Sequence, residues 1–239
     1  MSRTAIAVVA HNSAGVIGRC LESCLRASPA EVLVIDNASA DATLEEVRRV
    51  PGVRCIANSA NLGFAGAANQ AVRATRAPLV LLLNPDAELL GSLEALERAC
   101  EQPGIGAAAG LLAGEDGEPQ RGFAVRRLPT ATALVFECLG LNRLWPSNPV
   151  NRRYRCLDLD LALEQDVEQP PGAFLMFRRE AWERLGGLDE GFYPVWFEDA
   201  DFCRRLAGAG FRVRFVPSVR ARHRGGHSFE GVSPENRMV

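Results

Sequence analysis

The sequence predicts an α/β fold, with a mostly parallel central sheet carrying helices on both faces. Three observations carry this reading. Short stretches that are apolar throughout, such as Glu31–Ile35 and Pro78–Leu83, alternate with helical stretches along the first half of the chain. Strands with no polar alternation are those buried on both faces of a parallel sheet. Polar residues then stand just beyond four successive strands: His11-Asn12, Asp36-Asn37, Asn58 and Asn84-Pro85-Asp86. Ligands of such sheets gather at the carboxyl ends of the strands. Finally, 239 residues with 47% hydrophobic and 23% charged content suit one α/β domain with a substantial core.

The elements follow in order. Thr4–Ala10 is a β-branched, apolar strand. Ala14–Arg26 is a helix with Val16, Ile17, Cys20, Leu21, Cys24 and Leu25 on one stripe. Glu31–Ile35 is a buried strand, Asp41–Val50 a helix, and Val53–Ala57 a third strand. Phe64–Arg76 is an alanine-rich helix that leads to the strand Pro78–Leu83. Leu93–Cys100 reads as a helix and Ile105–Leu112 as a strand. Residues 115–165 are less regular, with Pro129, Pro146 and Pro149 and an arginine-rich stretch. Regularity returns with the strand Gly172–Phe177, the helices Arg179–Leu185 and Glu198–Leu206, and the strand Phe211–Val216. No repeat or low-complexity linker divides the chain. It reads as a single domain over 1–239, with one half at 1–112 and a second at 113–239.

Composition narrows the chemistry. All 27 basic residues are arginine, and lysine is absent. A P-loop lysine and a Schiff base are therefore both excluded. Any phosphate must be met by arginine, a metal ion, helix N-termini or backbone amides. The net charge of -2 gives no reason to expect a nucleic-acid partner. The runs Ala5–Ala10 and Leu79–Leu83 fall far short of the about 20 residues of a membrane span. Arg3 precedes a short apolar run with no cleavage-type site, so no signal peptide is expected. Seven scattered cysteines without a CxxC pair read as reduced thiols in a cytoplasmic protein.

Several motifs have both a plain and a chemical reading. Gly104-x-Gly106 with Gly110 fails as a dinucleotide fingerprint, because the third glycine is late and the segment enters a strand. Asp36-Asn37-Ala38-Ser39 is either an Asx turn or a carboxylate placed to accept hydrogen bonds from a base or ribose. Asn61-Leu62-Gly63-Phe64 opens the alanine-rich helix, which reaches Asn69. It is either tight packing or a close backbone approach to a diphosphate. Asn84-Pro85-Asp86 makes a good turn, and at a sheet mouth its carboxylate can hold magnesium or manganese. Glu198, Asp199 and Asp201 open a helix after Phe192, Tyr193, Trp196 and Phe197. Charge against the helix dipole is the plain reading, and a partly desolvated base the chemical one. His223-Arg224-Gly225-Gly226-His227-Ser228 holds two of the three histidines. From Arg204 to Arg224 there are seven arginines and no acid, either solvated strand faces or a surface for an anionic ligand. Ala131, Leu134, Val135, Cys138, Leu141 and Trp145 fall at helical spacing. A buried helix is the preferred reading, with an amphipathic patch docked on the inner membrane leaflet as the alternative.

In series, six motifs resemble the family-2 glycosyltransferases of GT-A fold, on the branch of bacterial rhamnosyltransferase-type enzymes. They are Val34-Ile35-Asp36-Asn37-Ala38-Ser39, Asn61-Leu62-Gly63-Phe64-Ala65, Leu83-Asn84-Pro85-Asp86, Gly172-Ala173-Phe174, Phe197-Glu198-Asp199-Ala200-Asp201 and His223-x-Gly225-Gly226-His227-Ser228. The resemblance implies inverting transfer of a sugar from a nucleotide diphosphate sugar, dTDP-rhamnose or a UDP-sugar, to a saccharide or lipid-linked acceptor in cell-wall or polysaccharide assembly. It implies a nucleotide-sugar half at 1–112 and an acceptor half at 113–239. His11, Asn12, Asp36, Asn61, Gly63, Phe64, Asn69 and Asn84 would meet the donor. Asp86, with His223, would hold Mg2+ or Mn2+; Asn84 stands where the family's metal motif has its first acid. Asp199 would be the general base, with Glu198 beside it and Trp196 and Asp201 toward the acceptor. Two other readings compete. A sugar-phosphate nucleotidyltransferase resembles this sheet but needs a glycine-rich N-terminal loop and a lysine. A non-catalytic nucleotide-sugar-binding module would not need acids at both 86 and 199.

Overall fold

A computed structural model describes residues 2–224. The strands are β1 (Thr4–Ala10), β2 (Glu31–Asp36), β3 (Val53–Ala57), β4 (Leu79–Leu83), β5 (Ala87–Leu89), β6 (Ile105–Ala113), β7 (Gln165–Val167), β8 (Phe174–Arg178) and β9 (Arg212–His223). The helices are α1 (Ile17–Arg26), α2 (Thr43–Arg48), α3 (Gly63–Ala74), α4 (Glu94–Glu101), α5 (Ala131–Cys138), α6 (Leu141–Leu144), α7 (Pro149–Tyr154), α8 (Arg179–Leu185) and α9 (Glu198–Gly208). All nine strands form one sheet in the order β3-β2-β1-β4-β8-β6-β9-β5, with β7 beside β9.

Strands β3, β2, β1 and β4 run parallel, as their apolar runs predict. Beyond β4 the sheet is mixed. β8 is antiparallel to both β4 and β6, β6 and β9 run parallel, and β5 and β7 pair antiparallel with β9. The core lies on both faces and follows the two-residue period of the strands. Ile6, Val8 and Ala10 of β1 face α1, α2 and α4. Ala7 and Val9 face α3, α8 and α9.

Three departures from the sequence reading bear on function. β5 and β7, three residues each, are unforeseen. β9 runs on past Pro217 to His223. Its pairing with β6 jumps from Val216 opposite Gly110 to Arg220 opposite Leu111, so 217–219 bulge out and accommodate the proline. The apolar stripe near 131–145 is not a buried helix: within α5 only Ala133 is buried, and Leu134, Val135, Leu139, Leu144 and Trp145 are exposed. No helix among the described residues is long and apolar enough to cross a membrane.

Gly110 makes the bulge possible. A Cβ there would sit 2.2 Å from the Phe174 ring and 2.5 Å from the Val219 carbonyl oxygen. Gly110→Ala should therefore lower stability by about 1–3 kcal/mol through overpacking, seen as a lower urea midpoint. An unchanged midpoint would mean that β9 moves aside freely.

Candidate active site

The antiparallel pairing of β8 with β4 assembles the site. Leu83 lies opposite Phe174, so the carboxyl end of β4 and the amino end of β8 reach the same sheet mouth. The Asn84 N–H donates to the Ala173 carbonyl (3.0 Å). The Gly172 N–H donates to the Asp199 carboxylate (3.1 Å). A Cβ at Gly172 would lie 3.5 Å from the Phe64 ring and 3.7 Å from Asp199 Cβ. The starts of α3 and α9 thus meet at one glycine, beside the end of β4.

Asp36 ends β2, Asn37 follows it, and both are buried. Asp36 Oδ2 accepts a hydrogen bond from the Ser39 N–H (3.4 Å), while its Oδ1 is buried without a protein partner. A buried carboxylate oxygen left unpaired is costly, which makes it a natural acceptor for a ligand N–H or O–H. Asn37 knits the loops around it: its amide donates to Asn61 Oδ1 (2.8 Å) and its Oδ1 accepts from the Leu62 N–H (2.9 Å). His11 Nδ1 lies 3.0 Å from the Asn37 carbonyl oxygen, and Asn12 Oδ1 accepts from the Ala40 N–H. His11 and Asn12 are exposed above this buried pair. Gly63 has φ +73°, which favours glycine, and a Cβ there would fall 2.9 Å from Tyr193 and 3.0 Å from the Pro194 carbonyl oxygen. The Phe64 N–H donates to that same oxygen (2.8 Å), tying the start of α3 to the aromatic loop.

Asp86 follows β4, and His223 ends β9 opposite Ala87. His223 Nε2 lies 3.3 Å from Asp86 Oδ1, with both side chains buried. The other ring nitrogen is 2.9 Å from Gln120 Oε1, and the imidazole stacks on Phe123 at 5.3 Å. The ring is therefore held on both sides, as metal-binding histidines are. Among the described residues no cluster of three or more such ligands forms, and Asp86 and His223 are two candidate ligands brought side by side. Arg19, Arg222 and Arg224 line the small pocket that Asp86 shares with Glu88 and Glu115. Three arginines of 204–214 are directed elsewhere: Arg205 pairs with Asp201, and Arg212 and Arg214 with Asp166.

At the start of α9, Trp196 and Phe197 have φ of 105° and 68°. Left-handed backbone at two bulky residues is strained, and such strain clusters at functional sites. Glu198 is 5% exposed, and one of its carboxylate oxygens has no partner. Burial, then the neighbouring Asp199 charge, pushes its pKa up to about 7. Burial also raises Asp199, opposed by the Gly172 and Ala200 N–H groups, the Arg126 charge and Gln169. The result is a carboxylate more basic than usual and fixed in direction.

Two residues assigned to ligands from sequence are engaged within the fold. Asn69 is buried: its amide donates to the Leu188 carbonyl and Glu190, and its Oδ1 accepts from the Leu188 N–H (3.0 Å). It therefore ties α3 to the 188–190 loop and has no free group for a donor. Asp201 is held by Arg205, which also donates to the Leu185 and Gly187 carbonyls. Two residues beyond Asp199 on a helix, it projects from the opposite flank of α9. Gln120, Phe123, Arg126, Gln169 and Arg19 support the site without having been foreseen. The first four lie in or next to the irregular stretch, where no period marks them. Residues 225–228 of the histidine motif lie outside the described residues.

Comparison with known proteins identifies the family and the fold. The model of "Glycosyl transferase family 2" matches residues 5–186, and that of "Glycosyl transferase family group 2" matches 159–234. An N-acetylglucosaminyl-diphospho-decaprenol L-rhamnosyltransferase of Mycobacterium tuberculosis is 31% identical over 225 residues, covering 88% of this chain and 71% of its own. Rhamnosyltransferase WbbL of Escherichia coli is 28% identical over 106 residues, covering 44% of this chain and 36% of its own. Among solved structures, GalNAc-T7 with UDP, GalNAc and Mn2+ superposes with a TM-score of 0.68 at 16% identity, over 93% of this chain and 44% of that one. The mannosyltransferase PcManGT from Pyrobaculum calidifontis, with GDP-Man and Mn2+, gives 0.63 at 20% identity, over 95% and 58%. These structures share the GT-A fold, and this chain spans less than two thirds of either. With the family model covering most of the chain and a rhamnosyltransferase 31% identical across 88% of it, the chain belongs to glycosyl transferase family 2, on its rhamnosyltransferase-like branch.

Proposed function

We propose that this glycosyltransferase moves rhamnose from dTDP-rhamnose, with inversion, to a hydroxyl of a lipid-linked saccharide on the cytoplasmic side. The observation that carries the reading is the position of Asp199. It is a half-buried carboxylate of raised basicity, fixed by the Gly172 N–H at the mouth where β4, β8, α3 and α9 meet. The rhamnosyltransferase relatives favour the donor, and the diphospho-decaprenol in the mycobacterial relative's name favours the acceptor class.

In this mechanism Asp199 takes the proton of the acceptor hydroxyl. The oxygen attacks the anomeric carbon from the face opposite the diphosphate, and the bond from that carbon to the phosphate oxygen breaks. The unpaired Asp36 oxygen receives a hydrogen bond from the nucleoside base or ribose. His11, Asn12, Asn61, Gly63 and Phe64 shape the donor loops, and Trp196 flanks the acceptor. Asp86 and His223 fit a divalent cation, and one carboxylate with one imidazole suits Mn2+ better than Mg2+. When bound, such a cation neutralises charge on the leaving diphosphate. Arg19 and Arg222 flank the same place but pair with Glu88, and Arg224 pairs with Glu115, so they would have to exchange these partners to meet the diphosphate.

Asp199→Asn should lower kcat by about 10²–10⁴-fold while leaving nucleotide-sugar affinity unchanged by calorimetry. Full transfer by that variant would remove Asp199 as the base. Asp86→Ala should abolish the extra thermal stabilisation that Mn2+ gives in the presence of dTDP, and its persistence would place the cation elsewhere.

Glu198 gives a separate expectation for stability. Its pKa of about 7 in the folded chain lies above the ordinary 4.5, so the folded state keeps a proton that the unfolded chain releases. Stability should fall as pH rises from 4.5 to 7, by about 3 kcal/mol at most. Glu198→Gln should flatten that fall in urea midpoints taken across this window. An equal slope in the variant would show that Glu198 is not its source.

A further inference from the structure

Residues 131–155 form a helical unit of α5, α6 and α7 whose polarity is inverted. Its interior is made of amides. Asn148 is fully buried and donates to Asn142 Oδ1 (3.0 Å) and the Trp145 carbonyl (2.7 Å), while its own Oδ1 accepts from the Asn151 N–H (2.8 Å). Asn151 is also buried and donates to the Pro146 carbonyl (2.7 Å), and Arg155 pairs with Glu137 (2.9 Å). This polar frame turns the apolar side chains outward. Val135, Leu139, Leu144 and Trp145 are 52%, 65%, 82% and 59% exposed. A helical hairpin that stays in water buries its leucines and exposes its asparagines. The reverse arrangement suits a surface that leaves water.

Charge selects among the surfaces that could cover it. The segment carries four arginines (143, 152, 153 and 155) and one acid, Glu137, in a chain of net charge -2. Arg143 and Arg153 are exposed and have no ion-pair partner among the described residues. A second copy packed through the same segment would offer these arginines the same four arginines and one acid, and so no negative surface to pair with. An anionic lipid surface instead takes the leucines and Trp145 into the acyl boundary and pairs the arginines with headgroups.

We propose that the 131–155 unit docks this enzyme on an anionic membrane surface, through Val135, Leu139, Leu144 and Trp145, with Arg143 and Arg153 at the headgroups. Its purpose, presenting the site to a lipid-linked acceptor, rests on the function proposed above; the docking itself does not.

The test is flotation of the full chain with vesicles, at low salt and without substrates. Binding is expected to phosphatidylglycerol-containing vesicles, with little to pure phosphatidylcholine and release at high salt. The double variant Leu144→Glu/Trp145→Glu should reduce vesicle partitioning by about tenfold or more. Arg143→Glu/Arg153→Glu should weaken it by a similar factor. All four positions are exposed, and circular dichroism checks that each variant stays folded. No flotation of the wild type with anionic vesicles would overturn the proposal, as would binding unchanged in the apolar variant. A concentration-dependent dimer lost in the apolar variant, without vesicle binding, would also overturn it and assign the face to a second copy. Hydrolysis of dTDP-rhamnose, followed in the same variants without lipid, should stay at the wild-type rate. Failure of the enzyme reading is thereby told apart from failure of the docking.

Discussion

Where β4 meets β8 the chain direction reverses, and the site follows from that one reversal. A fully parallel continuation would have placed the start of β8 at the far end of the sheet. Antiparallel pairing instead brings Gly172 and Ala173 to the mouth formed by β1, β2 and β4. The second half of the chain can then contribute Asp199 from α9 and His223 from β9 to residues delivered by the first half. The Phe64–Pro194 and Asn69–Leu188 hydrogen bonds fasten the two halves on the α3 side. Asn84–Ala173 fastens them on the sheet itself.

The absence of lysine gains meaning from this layout. Arginine does not lose its proton in a protein. The cations near the mouth, Arg126 beside Asp199 and Arg19, Arg222 and Arg224 beside Asp86, are fixed charges that take no part in proton transfer. Under the proposed mechanism, proton movement falls to the carboxylates. Of those, Glu198 and Asp199 are the pair whose affinity for protons is raised by burial. The groups able to exchange protons and the fixed cations are thus different residue types.

The parallel half was legible because strands buried on both faces leave unbroken apolar runs, and Leu79–Leu83 or Val32–Ile35 can hardly be read otherwise. Asp36 and Asp86 stand out at strand ends for a related reason, since they interrupt such a pattern, whereas Asp199 opens α9 and shows in the sequence only as one of three acids after an aromatic run. The short strands β5 and β7 were not, because three residues cannot display a period. Pro217 hid the continuation of β9, and only the bulge opposite Gly110 reconciles the proline with the ladder. Asn69 looked like a ligand group because sequence shows an amide but not the carbonyl that already occupies it. The exposed face of α5 was misread for the same kind of reason: helical spacing shows that apolar residues share a side, not what lies against it. Gln120, Arg126 and Gln169 carried no pattern at all, since the site residues they meet, His223 for the first and Asp199 for the other two, are far off in the chain.

The bulge at 217–219 also sets a limit on how this part of the chain can evolve. Beyond it, β9 alternates His223 inward and Arg222 and Arg224 outward. Loss or gain of a single residue between Val216 and Arg220 would reverse that alternation. The imidazole would turn to solvent, and a guanidinium would turn into the buried place that the imidazole now holds beside Gln120 and Phe123. The length of this unremarkable loop therefore acts as a reading frame for the site, so related chains should vary in its residues far more freely than in their number.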